Sequence, residues 1–112
     1  MQFSGMIEFV PTKISISARV KVLPDLILTG NKERNTIIYL KDRLSITGDF
    51  SLKNIEIETS HIINWYANNV YISTNSQIKT SSTIFFPSFY EFHIYSSPSD
   101  NQLSKNAFII EE

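Results

Sequence analysis

The stretch KISISARVKV, residues 13–22, alternates between polar and apolar side chains at every position. A period of two places successive side chains on opposite faces of a strand, so this stretch predicts a β-strand with one buried face. Shorter runs of the same kind follow at residues 44–47, 55–59, 70–74 and 90–95, and no stretch sustains a helical period. The chain is therefore predicted to be all-β.

The composition of the 112-residue chain fits one folded domain, residues 1–112. Hydrophobic residues make up 42 % and charged residues 19 %, which is enough apolar surface to offset the chain entropy lost on folding. The formal net charge of −1, with both signs interspersed, gives no basic face, so neither nucleic acid nor an anionic membrane is expected as a partner. No membrane span or signal peptide is evident, so the chain is expected to be soluble, in a compartment that the sequence leaves unknown.

Metal and cofactor chemistry is not predicted. The sequence has no cysteine, which excludes disulfides and cysteine-ligated zinc. The two histidines, His61 and His93, cannot complete a metal site alone. Neither a nucleophile-elbow motif nor an EF-hand spacing is present. We therefore predict no metal site, no cofactor and no catalytic residue.

Glycine and asparagine turns separate short apolar runs in the middle of the chain. The phrases that carry this pattern are Leu28-Thr29-Gly30-Asn31, Asn35-Thr36-Ile37-Ile38-Tyr39-Leu40, Leu44-Ser45-Ile46-Thr47-Gly48, Ser51-Leu52-Lys53-Asn54-Ile55-Glu56-Ile57 and Asn69-Val70-Tyr71-Ile72-Ser73. Over residues 26–80 the pattern resembles the right-handed parallel β-helix of pectin-lyase-like proteins, in which short strands stack coil upon coil. Members of that family commonly act on or bind polysaccharides, so the resemblance implies a short solenoid with a glycan-related function.

Two features favour a different all-β fold. The phrases at Leu28 and Ile46 are 18 residues apart and the runs at Leu44 and Val70 are 26 apart, although a solenoid should keep a steadier period. A long strand with polar residues outward is also typical of an antiparallel sheet with one wet face. We therefore predict a single-domain antiparallel β-sandwich or jelly roll, with a short right-handed parallel β-helix as the alternative. The predicted core is Ile14, Ile16, Val20, Val22, Leu28, Ile38, Ile46, Ile55, Ile57, Ile72, Tyr90, Phe92 and Ile94.

Aromatic and amide side chains meet in residues 64–71. A flat ring can stack on the apolar face of a sugar while neighbouring amides bond its hydroxyl groups. The leading hypothesis is therefore a non-catalytic binding or assembly module that is glycan-binding or glycan-associated. The predicted ligand-binding residues are Trp65, Tyr66, Asn69 and Tyr71.

Two other functions stay open. Sheet edges such as the weakly charged residues 80–86 can accept a strand from another chain, which predicts a protein-interaction or inhibitor module, or a homo-oligomer formed through edge strands. Glu56 and Glu58 fall on one side of a strand, about 7 Å apart from the strand rise. This separation overlaps the roughly 6.5–9.5 Å between the carboxyl groups of inverting glycosidases. A carbohydrate-active enzyme is therefore the third hypothesis, although a protein without catalytic activity is favoured.

Overall fold

The computed structural model describes residues 1–67, 69–73, 75–82 and 84–85, together with strands at residues 93–96 and 108–110. Every strand pair in this part of the chain is parallel. The predicted all-β class is confirmed, but the antiparallel β-sandwich or jelly roll is wrong, and the alternative of a parallel β-helix fits. The strands are β1 (Gln2–Phe3), β2 (Met6–Glu8), β3 (Lys13–Ile16), β4 (Val20–Val22), β5 (Leu26–Thr29), β6 (Thr36–Leu40), β7 (Leu44–Ile46), β8 (Phe50–Lys53), β9 (Ile55–Thr59), β10 (Ile63–Trp65), β11 (Asn69–Ile72), β12 (Gln77–Thr80), β13 (Ile84–Phe85), β14 (His93–Ser96) and β15 (Phe108–Ile110).

The described strands build three five-stranded sheets in rotation. Sheet A has the order β1-β4-β7-β10-β13, sheet B the order β2-β5-β8-β11-β14, and sheet C the order β3-β6-β9-β12-β15. Each coil of the chain therefore contributes one strand to each sheet, and we number the coils from the N-terminus. Successive coils stack through backbone hydrogen bonds, which makes the fold a β-solenoid.

Apolar side chains fill the space between the sheets, because inward positions of one coil lie on inward positions of the next. The buried hydrophobic residues are Phe3, Ile16, Val20, Val22, Leu26, Leu28, Ile38, Leu40, Leu44, Ile46, Phe50, Leu52, Ile55, Ile57, Ile63, Trp65, Ala67, Val70, Ile72 and Ile78. The described residues of the predicted core are all among them except Ile14, which is partly buried and packs against the core. Three predicted core side chains lie outside the described residues: Tyr90, Phe92 and Ile94.

Residues 13–22 do not form a single strand. A corner at residues 17–19 divides them into β3 in sheet C and β4 in sheet A. The alternation places Ala18 in the core, whereas it is exposed at this corner. In a solenoid each parallel sheet has one face toward the core and one toward solvent. Polar and apolar side chains therefore alternate along its strands just as they do in an antiparallel sheet that has one face in solvent.

In coils 2 to 4, one of the three corners varies in length. The corners that lead from sheet C to sheet A contain three residues each, for example 17–19 and 41–43. The corner between sheets B and C ranges from residues 30–35 in coil 2 to Asn54 alone in coil 3. Asn54 makes its sharp bend with a φ of 57°, a left-handed conformation that asparagine adopts more readily than most residues.

The variable corner hides the period of the solenoid. Leu28 pairs with Leu52, 24 positions later, and Leu44 pairs with Ile63, 19 positions later. A comparison of Leu28 with Ile46 joins strands of sheet B and sheet A, so the spacing of 18 does not measure a coil. Between coils 2 and 3 the coil length changes because this corner changes, while the paired strands keep their register.

Candidate functional site

Trp65, the first of the predicted ligand-binding residues, belongs to the core. It is 1 % exposed, and its ring packs edge-on against Phe50 with a centroid separation of 5.5 Å. Its indole N–H donates a hydrogen bond to the carbonyl oxygen of Ala67 at 3.1 Å, so this polar atom is satisfied without a ligand. Trp65 therefore offers no free ring face on which a sugar could stack.

The two described tyrosines among the other predicted residues lie on different surfaces. Tyr66 is 47 % exposed and follows β10 at the corner between sheets A and B. Tyr71 is 51 % exposed on the outer face of sheet B. Asn69 begins β11 in sheet B, and its side chain lies outside the described residues. Of the four, only Tyr66 lines the groove described next.

A shallow groove of about 580 Å³ runs over the outer face of sheet A, and we call it the sheet A groove. Its lining residues are Met1, Gln2, Arg19, Val20, Lys21, Ser45, Thr47, Asn64 and Tyr66. Four of them stack in register on successive strands: Gln2, Lys21, Ser45 and Asn64. The lining contains cationic side chains but no carboxylate, and it combines amides, hydroxyls and one exposed ring.

The two glutamates considered for catalysis share the outer face of sheet C, as the alternation predicts. Glu58 Oε1 lies 3.6 Å from Lys79 Nζ on the neighbouring strand. Burial raises the pKa of Glu56, and the negative charge of Glu58 raises it further, while Lys79 acts in the opposite direction. Glu58 is thus held in an ion pair, whereas Glu56 has a pKa above the usual value of a glutamate.

A further feature is the outer side of coil 1. Among the described residues, no strand pairs with the far sides of β1, β2 and β3, which are the first strands of the three sheets. We call these three strand sides the coil 1 edge. An unpaired strand presents a row of backbone N–H and C=O groups that can bond another strand.

Hydrogen bonds to coil 2 show which backbone groups of coil 1 face this edge. The groups bonded to the backbone of coil 2 outside the regular strand ladder belong to Met1, Phe3, Gly5, Phe9, Thr12 and Ile16. Because alternate residues of a strand direct their backbone groups to opposite sides, the groups of the intervening residues face the edge. These residues are Gln2, Met6, Glu8, Lys13 and Ser15.

Inward side chains are less covered in coil 1 than in coil 2. Ile7 and Ile14 are only partly buried, although both pack against the core. Their counterparts in coil 2, Leu28 and Ile38, are each 0 % exposed. The coil 1 edge therefore joins unpaired backbone groups to incompletely buried apolar side chains.

The sequence predicts a strand edge at residues 80–86 and gives no signal for the coil 1 edge. The predicted edge at residues 80–86 includes β13, which is the outermost described strand of sheet A. The coil 1 edge leaves no comparable signal, because β2 and β3 have the same alternating pattern as strands inside the stack. Only the order of the strands identifies them as outermost.

Comparison with protein-family models, with curated proteins and with solved structures finds no match to this chain. No helix among the described residues is long and apolar enough to cross a membrane. The same residues contain no group of three or more histidine, cysteine, aspartate or glutamate side chains that could hold a metal ion.

Proposed function

We propose that the chain is a protein-interaction module that binds its partner by accepting a β-strand at the coil 1 edge. The observation that carries this proposal is that all three sheets begin at coil 1 with one side unpaired among the described residues. Strand addition at such an edge gains affinity from main-chain hydrogen bonds and specificity from alternate side chains.

Among the three edge strands, β3 is the most suitable acceptor. It contains four residues, against two in β1 and three in β2. The backbone groups of Lys13 and Ser15 face outward and can bond an added strand. The partly buried Ile14 between them gives that strand an apolar contact. Main-chain bonds and apolar contact thus coincide on β3.

A strand peptide tests this proposal at protein concentrations low enough to keep the chain monomeric. The probe is a synthetic peptide with the sequence NTIIYLK, residues 35–41, because β6 already pairs with the other side of β3. At millimolar peptide, we expect slower hydrogen exchange at the amides of Lys13 and Ser15. A scrambled peptide of the same composition is the control and should leave both amides unchanged.

The variant Ser15→Pro blocks the proposed contact without removing a bond inside the fold. The N–H of Ser15 that proline removes faces the coil 1 edge, and proline is tolerated on such an unpaired strand side. The variant should keep the melting temperature of the parent chain within a few degrees and lose the response to the peptide. Unchanged exchange at Lys13 and Ser15 in the parent chain with peptide present would overturn the proposal.

Glycan binding is a second candidate, favoured by the composition of the sheet A groove. The exposed Tyr66 ring can stack on a sugar face, and the amides of Gln2 and Asn64 can bond its hydroxyl groups. We further propose that the solenoid is of the right-handed pectin-lyase-like type. That resemblance supports glycan binding, because members of the family commonly act on or bind polysaccharides.

Two tyrosines of similar exposure test the glycan candidate. Tyr66→Ala should lower the affinity for an oligosaccharide by about tenfold, the loss expected from one stacked ring. Tyr71→Ala, on sheet B, is the matched control and should leave the affinity unchanged. Calorimetric titration with neutral and uronic-acid oligosaccharides measures both variants. Equal losses in the two variants would exclude the sheet A groove as the binding site.

A further inference from the structure

We infer that the partner at the coil 1 edge is a second copy of this chain, related to the first by a two-fold axis through the centre of sheet A. The inference rests on the proposed strand addition and names its partner. The two copies meet coil 1 to coil 1, so each pairs with the strand sides that are unpaired among the described residues of the other.

The three-sheet cross-section determines how the edges match. A two-fold axis through sheet A exchanges the positions of sheets B and C, so β1 faces the partner's β1 and β2 faces the partner's β3. The rotation also reverses chain direction, which makes every edge pair antiparallel. Such an isologous contact closes after two copies, whereas head-to-tail stacking of coils would produce an open filament.

One register satisfies both the side-chain and the backbone pattern of β2 and β3. Placing Ile7 opposite the partner's Ile14 also brings Glu8 opposite the partner's Lys13. Directly opposed residues in an antiparallel pair exchange both hydrogen bonds or neither. The backbone groups of Glu8 and Lys13 face the edge, so this pair can exchange both bonds. Ile7 and Ile14 occupy the non-bonded site, where opposed side chains approach most closely.

Charge complementarity selects this register over its neighbours. Glu8 and Lys13 are both exposed, and neither forms an ion pair with another described residue. A shift by two residues keeps the backbone pattern but places Glu8 opposite the partner's Ser15 or the partner's Pro11, and the opposite charges no longer meet. The register that opposes the two isoleucines is therefore also the one that opposes the two charges, twice in each dimer.

The two-fold axis also brings the two sheet A grooves together. Met1 and Gln2 line the groove at its coil 1 end, and β1 lies on the axis. The grooves of the two copies therefore meet across the dimer and form one longer surface.

Charge reversal tests the register. We expect the parent chain to pass from monomer to dimer between micromolar and millimolar concentration in sedimentation velocity, because the edge strands are short. Glu8→Lys alone and Lys13→Glu alone should each raise the dissociation constant by about tenfold, since two attractive contacts become repulsive. The double variant, Glu8→Lys with Lys13→Glu, restores opposite charges and should recover dimerisation. Glu33→Lys, on the exposed corner at residues 30–35, is the control because it changes the net charge by the same amount as Glu8→Lys. It should dimerise like the parent chain.

The outcomes separate this inference from the proposed function. A monomer at millimolar concentration overturns the dimer, yet a peptide response at β3 would still support strand addition with a foreign partner. A dimer in which both single reversals are silent, or in which the double variant is no better than the singles, overturns the register and its two-fold axis. A dimer that also survives Ser15→Pro overturns strand addition at this edge altogether.

Discussion

Coil 1 and coil 3 present the same alternating strands to the same three sheets, but they are covered to different extents. Ile57 of coil 3 is 4 % exposed and Leu52 is 2 % exposed. Ile14 and Ile7 occupy the same inward positions in coil 1, and both are only partly buried. Coil 3 lies between two coils, whereas coil 1 pairs with one coil among the described residues. The burial of an apolar residue in this solenoid therefore depends on the position of its coil as well as on its place in the strand.

The largest effect is expected inside the covered coils, at Trp65. Trp65→Ala should lower the free energy of unfolding by about 3–5 kcal/mol, because it leaves a cavity beside Phe50. Tyr66→Ala, one residue along the chain and exposed, should change it by only about 0.5 kcal/mol. Urea denaturation measures both. Similar losses in the two variants would contradict the burial that separates these neighbours.

The second prediction compares the loss of stability at two paired positions of sheet C, one in coil 1 and one in coil 2. Ile38→Ala in coil 2 should cost about 2–5 kcal/mol, because the side chain is fully enclosed. Ile14→Ala in coil 1 should cost less than half as much, since solvent already reaches this residue. The comparison requires dilute protein, where any contact between copies is lost. An equal cost at both positions would show that coil 1 is covered in solution.

A third, smaller effect distinguishes two glycine corners. An alanine Cβ at Gly30 would collide with the backbone carbonyl oxygen of Asn54 and with the Thr36 side chain, so coils 2 and 3 would have to move apart. We expect Gly30→Ala to cost about 1–3 kcal/mol. Gly5 in coil 1 has a φ of 68° but open space around it, so Gly5→Ala should cost roughly 1 kcal/mol, for backbone strain alone. Thermal melting would refute this comparison if Gly5→Ala were the more damaging change.

The smallest effect concerns Glu56 on the outer face of coil 3. Its pKa is raised in the folded chain, chiefly by burial. The unfolded chain therefore loses its proton at lower pH, and the stability that Glu56 contributes is complete below that pH and falls as the pH rises through the folded value. Glu56→Gln should match the parent chain in acid and be slightly more stable at neutral pH, by less than about 0.5 kcal/mol. A variant that is less stable than the parent at neutral pH would contradict this.

Much of the fold can be predicted from single strands, because alternation reports which side of a strand is buried. Ile38, Ile46 and Ile57 are assigned correctly to the core on this basis. Parallel and antiparallel sheets with one wet face share that alternation, so the direction of pairing cannot be obtained from it. The stacking is also hidden because the corner between sheets B and C varies in length, which places paired positions 24 residues apart in coil 2 and 19 in coil 3.

The candidate surfaces are less accessible to sequence reasoning than the core. The alternation of Ile63, Asn64 and Trp65 does indicate that Trp65 points inward. This signal is more informative than the presence of an aromatic residue beside amides, which suggests a sugar site. Tyr66 lies in the sheet A groove with Gln2, and these two residues are far apart in sequence. Neither the groove nor the coil 1 edge is a local pattern, because each arises only when coils are stacked.

Backbone nuclear Overhauser contacts between β6 and β9 test most directly whether the coils stack with parallel strands. The structure predicts contacts between Thr36 and Ile55 at one end of the pair and between Leu40 and Thr59 at the other. Contacts that instead connect Thr36 with Thr59 and Leu40 with Ile55 would establish antiparallel pairing and contradict the solenoid.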